Sequence, residues 1–139
     1  MIQFIIGEKG KGKTKVLLEK ANLEIKEATG NVVYLDKNTQ HMFELNNRIR
    51  LIDVTNYPLT DADEFIGFIC GIISQDHDLQ SVYMDGFLKC ARLEGQSITD
   101  TLLRLDSISS MFNITLYISV SVDKEELPEE LREKVLVSL

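Results

Sequence analysis

The sequence lacks the features that mark secreted, membrane-spanning and nucleic-acid-binding proteins. Its two cysteines cannot form a disulfide framework, and they do not make a Cys-x-x-Cys pair. The longest apolar run, residues 65–73, has nine residues and is too short to cross a bilayer. The N-terminal segment has no basic region followed by a cleavage site, so nothing indicates export. We therefore expect a cytoplasmic protein that contacts no membrane.

Positive charge is also scarce, and much of it lies in one place. The net charge is −7, and an acidic protein repels nucleic acid and anionic membranes, which argues against a broad nucleic-acid surface. The first twenty residues nevertheless hold five lysines against two glutamates. These lysines are Lys9, Lys11, Lys13, Lys15 and Lys20. A lysine-rich spot in an acidic protein suggests a compact anionic ligand bound at a single place.

The sequence does contain the composition and alternating pattern of an α/β protein. It is 44% hydrophobic and 27% charged, which is ordinary for one globular domain spanning residues 1–139. Apolar segments predict strands over Ile2–Ile6, Val32–Leu35, Arg48–Val54, Ser81–Met84, Ile114–Val120 and Val135–Leu139. Amphipathic segments predict helices over Lys13–Ala28, Thr60–Ser74 and Ser97–Phe112, with an acidic, exposed helical piece over Asp123–Lys134. This alternation predicts parallel βαβ units in a three-layer α/β sandwich with a mainly parallel sheet.

Local signals set two of the helix boundaries. Gly30 follows the first predicted helix and suggests its C-terminal cap. Thr60 begins the second predicted helix, and Asp63 stands at the capping-box position three residues later.

A glycine-rich loop between the first strand and the first helix carries the strongest chemical signal. Residues Gly7–Thr14 read G-x-x-x-x-G-K-T, the pattern of a loop that holds phosphates. Glycines let successive backbone N–H groups point inward at an anion, and the helix behind adds its positive end. Lys13 would reach the β- and γ-phosphates and stabilise the transferred phosphoryl group, while the Thr14 hydroxyl would bind Mg²⁺. A chance match in a glycine-rich turn is the alternative. The predicted phosphate-binding residues are Gly7, Glu8, Lys9, Gly10, Lys11, Gly12, Lys13, Thr14 and Lys15.

A second signal follows about seventy residues later. The apolar strand Ser81–Met84 ends in Asp85, which we predict to be the second magnesium ligand beside Thr14. The alternative is that Asp85 only forms a turn, as aspartates at strand ends often do.

Together, Gly7–Thr14 and Ser81–Asp85 resemble the Walker A and Walker B motifs of the P-loop NTPases. The resemblance implies that superfamily's fold, with ATP and Mg²⁺ as ligands. The order of the strands resembles the RecA-like branch, in which an additional strand lies between the Walker B strand and the P-loop strand. Ile114–Val120 would be that strand, with Ser119 or Ser121 at the polar sensor position.

The chain is also similar in outline to small bacterial ATP-binding proteins named after twitching-motility ATPases. Those motors carry an extra N-terminal domain together with acidic and histidine boxes. A chain of 139 residues that begins at its first strand leaves no room for them, so we expect no motility role.

The sequence departs from the RecA-like pattern where a catalytic glutamate is common. Gly86 follows Asp85, and Asp36 follows the second strand, so neither place holds a glutamate. Asp36 is the candidate base that would polarise water, with a turn-forming role as the alternative. Lys89 and Arg92 could reach a neighbouring subunit's phosphate or be solvated loop charges.

Isolated histidines offer no metal-binding pattern. His41 and His77 have no neighbouring cysteine or carboxylate at ligand spacing, and we expect both at the surface.

These signals favour a Mg²⁺-dependent ATP-binding protein with weak or partner-regulated ATPase activity. A partner protein or a homo-oligomer would supply the regulation. One alternative is a nucleotide-loaded subunit without turnover, for which Asp123–Lys134 is a possible docking face. Another is a small-molecule kinase, although no arginine-bearing lid is evident. A guanine-specific switch is disfavoured because the base-reading sequence Asn-Lys-x-Asp is missing.

Overall fold

The chain has six parallel strands and four α-helices, and the three longest helices lie where the sequence pattern predicts them, whereas the single-turn helix at 87–90 was not predicted. The structure, a computed structural model, describes residues 1–139. The strands are β1 (Ile2–Ile6), β2 (Asn31–Asp36), β3 (Arg50–Asp53), β4 (Leu79–Met84), β5 (Thr115–Val120) and β6 (Val135–Ser138). The helices are α1 (Lys13–Glu27), α2 (Ala62–Ser74), the single turn α3 (Phe87–Cys90) and α4 (Thr99–Phe112). Short 3₁₀ turns occupy Met42–Glu44, Val54–Asn56, Lys124–Glu126 and Glu129–Lys134.

The strands form one sheet in the order β3-β2-β4-β5-β1-β6, and every neighbouring pair is parallel. The prediction that the strand over 114–120 inserts between the strands of 2–6 and 81–84 is confirmed, because β5 pairs with both β1 and β4. In a parallel sheet the carboxyl ends of all strands lie at one edge. The loops that follow β1, β2, β4 and β5 therefore meet there.

Helices cover both faces of the sheet. On one face, α1 buries Leu17, Ala21 and Ile25 against a cluster that includes Ile5 of β1. On the other face, α2 and α4 contribute to a larger core of 26 buried residues. Burying one such aliphatic or aromatic side chain contributes about 1.5–3 kcal/mol. The arrangement is an α/β fold compatible with a three-layer sandwich. None of the helices has the length and apolar character that a membrane crossing requires.

The boundary of α2 differs from the prediction. The cap is Asp61, whose side chain accepts the Glu64 N–H at 2.9 Å. Thr60 lies outside the helix, where its N–H and hydroxyl donate to the Glu64 carboxylate at 2.6 and 2.7 Å. Asp63 does not complete a capping box but pairs with Arg104 of α4 at 2.6 Å. The cap therefore lies one residue later than the sequence suggested, and the Glu64 carboxylate accepts from Thr60 rather than from the cap residue.

Gly30 is not a helix cap. The helix α1 ends at Glu27 and is followed by Ala28 in an extended conformation, and Gly30 has no positive φ. A Cβ at Gly30 would instead lie 2.3 Å from the Asp78 carbonyl oxygen. Glycine is needed here for close approach of two chain segments.

The acidic segment 123–134 forms two 3₁₀ turns rather than one exposed helix. Leu127 and Leu131 are buried and join the larger core. The segment is therefore anchored to the domain, although its charged side chains face solvent.

Candidate functional site

The glycine-rich loop leaves the carboxyl end of β1 and turns directly into α1. Gly12 has a φ of +94° immediately before the helix, a conformation that residues with a Cβ rarely adopt. No side chain caps this helix, and its first turn holds no acidic residue. The N–H groups of the first turn and the helix dipole are thus free to face an anion.

Lys13 spans the loop. It is 9% exposed, and its ammonium donates to the carbonyl oxygens of Gly7 at 3.0 Å and Glu8 at 2.9 Å. Burial lowers the pKa of Lys13, the negative charge of Asp85 raises it, and the charge of Lys37 lowers it. A buried cation whose partners are neutral carbonyls is well placed to exchange them for an anion.

Thr14 and Asp85, predicted from separate motifs, are in contact. The Thr14 hydroxyl donates to Asp85 Oδ1 at 3.1 Å, although the two residues are 71 positions apart. The Ser119 hydroxyl, at the end of β5, donates to the same oxygen at 3.2 Å. Asp85 Oδ2 accepts the Tyr34 hydroxyl at 2.8 Å. Burial and the Asp85 charge raise the pKa of Tyr34 above its usual range, so its hydroxyl remains a donor.

Asp36 lies at the end of β2 and is fully buried. Its Oδ1 accepts the Lys37 N–H at 2.7 Å and lies 3.9 Å from the Lys37 ammonium, while Oδ2 has no hydrogen-bond partner. Burial, followed by the nearby charge of Asp85, raises the pKa of Asp36 to about 6. Asp36 is therefore close to the other site residues but does not line the cleft they form.

These loops enclose a cleft of about 440 Å³. Its lining comprises Lys9, Gly10, Gly12, Lys13, Thr14, Lys37, His41, Asp85, Gly86, Phe87, Leu88, Lys89, Glu94, Ser119 and Ser121. A larger cavity, about 580 Å³, is bordered by Arg48, Arg50 and α2 and contains none of the predicted site residues. The predicted site residues Lys13, Thr14 and Asp85 instead line the smaller cleft.

The structure divides the predicted phosphate-binding residues into two groups. Lys9, Gly10, Gly12, Lys13 and Thr14 line the cleft. Gly7 and Glu8 supply carbonyl oxygens to Lys13 instead, while Lys11 and Lys15 are exposed outside the cleft.

Sequence reasoning missed two side chains of the cleft, Lys37 and His41. Lys37 leans over Gly86, where a Cβ would lie 3.1 Å from its ammonium. His41, expected at the surface, lines the cleft and holds Glu44 at 2.5 Å. Both residues follow β2, and the shared carboxyl edge of a parallel sheet is the signal that could have found them. His77 is exposed, as predicted.

The two candidate finger residues differ. Lys89 is exposed and lines the cleft. Arg92 lies outside it, since its guanidinium donates to the carbonyl oxygens of Leu59 at 3.0 Å and Lys89 at 3.2 Å. The first bond holds Arg92 to the loop before α2, and the second holds it to α3.

The donor set fits a magnesium ion that arrives with phosphate. No group of three or more His, Cys, Asp or Glu side chains is placed to hold a metal. Mg²⁺, however, is commonly held by one or two protein oxygens together with substrate phosphates. The Thr14 hydroxyl and the Asp85 carboxylate, beside an uncapped helix, supply oxygens of this kind.

Comparison of the chain with protein-family models and with curated proteins finds no match. The functional inference therefore rests on the geometry of the cleft.

Proposed function

We propose that this chain is a Mg²⁺-dependent ATP-binding protein of the P-loop NTPase type, with the strand order of the RecA-like branch. The observation that carries the proposal is the 3.1 Å contact between the Thr14 hydroxyl and the Asp85 carboxylate. The parallel sheet brings the glycine-rich loop and the acidic strand end to one edge, and there the two motif side chains make direct contact although they are 71 positions apart. Their meeting beside an uncapped helix supports a phosphate and a metal bound together.

Each residue of the cleft has a distinct task in this proposal. The loop N–H groups and α1 hold the phosphates, and Lys13 leaves the carbonyls of Gly7 and Glu8 to contact them. Thr14 and Asp85 hold Mg²⁺, which when bound neutralises phosphate charge and orients the phosphate chain. Lys37 adds a second cation on the β2 side of the cleft.

Weak or partner-regulated hydrolysis follows from the position of Asp36. A general base must reach the attacking water within hydrogen-bond distance. Asp36 is fully buried, with Oδ1 3.9 Å from the Lys37 ammonium, so water reaches its carboxylate only after a local movement of the surrounding groups. A partner protein or a second copy that shifts Lys37 would accelerate turnover.

A nucleotide-loaded subunit without turnover is the second candidate. The burial of Asp36 also favours this candidate, because it removes the predicted base from the cleft. The carboxylates that do line the cleft are Glu94 and Asp85, and this proposal assigns Asp85 to the metal. Phosphate release from Mg·ATP by the purified protein separates the two candidates. Transfer to an added acceptor in place of water would indicate a small-molecule kinase.

Calorimetric titration with Mg·ATP and Mg·ADP tests the binding proposal. We expect Lys13→Ala to weaken Mg·ATP binding about ten- to a hundredfold, since a charge-assisted hydrogen bond contributes roughly 1.5–3 kcal/mol. Lys15→Ala is the matched control, because Lys15 lies on the same helix turn but is exposed outside the cleft. Absence of nucleotide binding by the folded wild-type protein contradicts the proposal.

A further inference from the structure

The hydrogen bond between Tyr34 and Asp85 plays no part in the phosphate and metal contacts proposed above. Tyr34 is fully buried in β2 and does not line the cleft, so it cannot touch a nucleotide. Its hydroxyl nevertheless donates to Asp85 Oδ2 at 2.8 Å. It is the only side chain that donates to that oxygen, whereas Oδ1 accepts both Thr14 and Ser119.

We propose that Tyr34 is a positioning residue that orients the Asp85 carboxylate for Mg²⁺. The inference rests on the proposed function and names a residue on which metal binding depends. A carboxylate held at both oxygens cannot rotate about its Cβ–Cγ bond, so Oδ1 stays directed at the Thr14 hydroxyl. Groups that hydrogen-bond a metal ligand in this way set its orientation, and their loss commonly weakens metal binding 10- to 100-fold.

The residues packed around Tyr34 restrict the movement of its ring and therefore of its hydroxyl. Tyr34, Tyr83 and Tyr117 occupy paired register positions on β2, β4 and β5. Their rings stack with centroids 6.1 Å and 4.5 Å apart. A ring confined between strands and α1 cannot follow a moving carboxylate. The carboxylate is therefore held by the tyrosine.

The same stack supplies a matched control. Tyr83 is also fully buried, and its hydroxyl donates to the Glu24 carboxylate of α1 at 2.5 Å. Glu24 lies outside the cleft and also accepts from Gln80 and Ser81. Tyr83→Phe therefore removes the same kind of bond from the same layer of the core, without touching Asp85.

The test measures ATP affinity by calorimetry for wild type, Tyr34→Phe and Tyr83→Phe, in EDTA and over a series of Mg²⁺ concentrations. We expect Tyr34→Phe to bind ATP in EDTA within about twofold of wild type, while its half-saturating Mg²⁺ concentration rises about tenfold. We expect Tyr83→Phe to keep the wild-type Mg²⁺ dependence. An unchanged Mg²⁺ dependence in Tyr34→Phe, or an equal change in both variants, overturns the inference.

Two further outcomes are decided by the wild-type protein. If wild type binds no ATP, or binds it equally with and without Mg²⁺, the proposed function has failed before Tyr34 is tested. If Tyr34→Phe does not fold, wild type labelled at tyrosine Cζ is titrated with ADP in EDTA and then with Mg²⁺. Addition of Mg²⁺ should shift the Tyr34 signal more than the Tyr83 signal, and equal shifts or none overturn the inference.

Discussion

Asp36 illustrates at the residue scale how burial changes the chemistry of a carboxyl group. Its Oδ2 has no hydrogen-bond partner and the side chain is fully buried, so ionisation is costly. Burial and the Asp85 charge accordingly raise its pKa to about 6. The stability of the nucleotide-free protein should therefore depend on pH through this residue.

Asp36→Asn should become more stable relative to wild type as the pH rises. The folded-state pKa of about 6 exceeds the ordinary aspartate pKa of 3.8, so the folded protein binds more protons between these values. The stabilisation that Asp36 provides when protonated is fully present below pH 3.8 and is lost as the pH passes 6. Asparagine stays neutral throughout. Urea unfolding without nucleotide should show the stability difference growing by about 1–2 kcal/mol between about pH 5 and pH 8. Parallel pH curves for the two proteins would contradict the raised pKa.

At the scale of elements, the helices α1 and α2, on opposite faces of the sheet, begin in different ways. Asp61 caps α2 through the Glu64 N–H, whereas α1 begins at Gly12 with no side-chain cap. An uncapped start leaves donors without partners, and this costs stability unless a ligand satisfies them. The start of α4 also lacks a side-chain cap, so the missing cap alone does not mark a site. The start of α1 differs because Gly12, Lys13 and Thr14 line the cleft.

Asp61→Ala should lower the free energy of unfolding by about 1 kcal/mol, the usual effect of losing such a cap. Asp63→Ala is the control, because Asp63 makes an exposed ion pair with Arg104, and exposed pairs contribute about 0–1 kcal/mol. Urea unfolding monitored by circular dichroism measures both. A larger loss in Asp63→Ala than in Asp61→Ala would restore the boundary suggested by the sequence.

At the scale of the whole molecule, the all-parallel sheet brings residues from four strand ends together around the cleft. Lys13 follows β1, Lys37 follows β2, Asp85 follows β4, and Ser119 lies in β5. A ligand in this cleft contacts elements from both halves of the sheet. Its binding energy should therefore stabilise the whole domain rather than one loop.

Mg·ATP should raise the melting temperature of the protein in a single transition. At a free concentration one hundred times Kd, binding adds about 2.7 kcal/mol, which corresponds to roughly 8 °C for a chain of this size. Differential scanning calorimetry measures the shift, with adenosine as the control that lacks phosphates. An equal shift with adenosine, or a second transition that does not respond to ligand, would contradict this account.

The six strands, the three long helices and the glycine-rich loop were predictable from the sequence, because each depends on a local pattern. The single turn α3 was not predicted, and the helix expected over 123–134 forms 3₁₀ turns. Strand and helix signals arise from residues that are neighbours in the chain, and the motif Gly7–Thr14 is contiguous. The β1 bounds are as predicted, and the other strands differ by no more than two residues at each end. The helix caps were less predictable, since one residue of displacement moved the cap from Thr60 to Asp61.

The meeting of Thr14 and Asp85 was predicted from their motifs, but the other contacts around the cleft follow from tertiary structure. Strand order and register place Tyr34 against Asp85, and the turn after β2 brings Lys37 and His41 to the loop. It also buries Asp36, which the sequence offered as a candidate base or a turn former after the second strand. These relations depend on pairing between strands that are far apart in sequence, and a local pattern carries no record of that pairing.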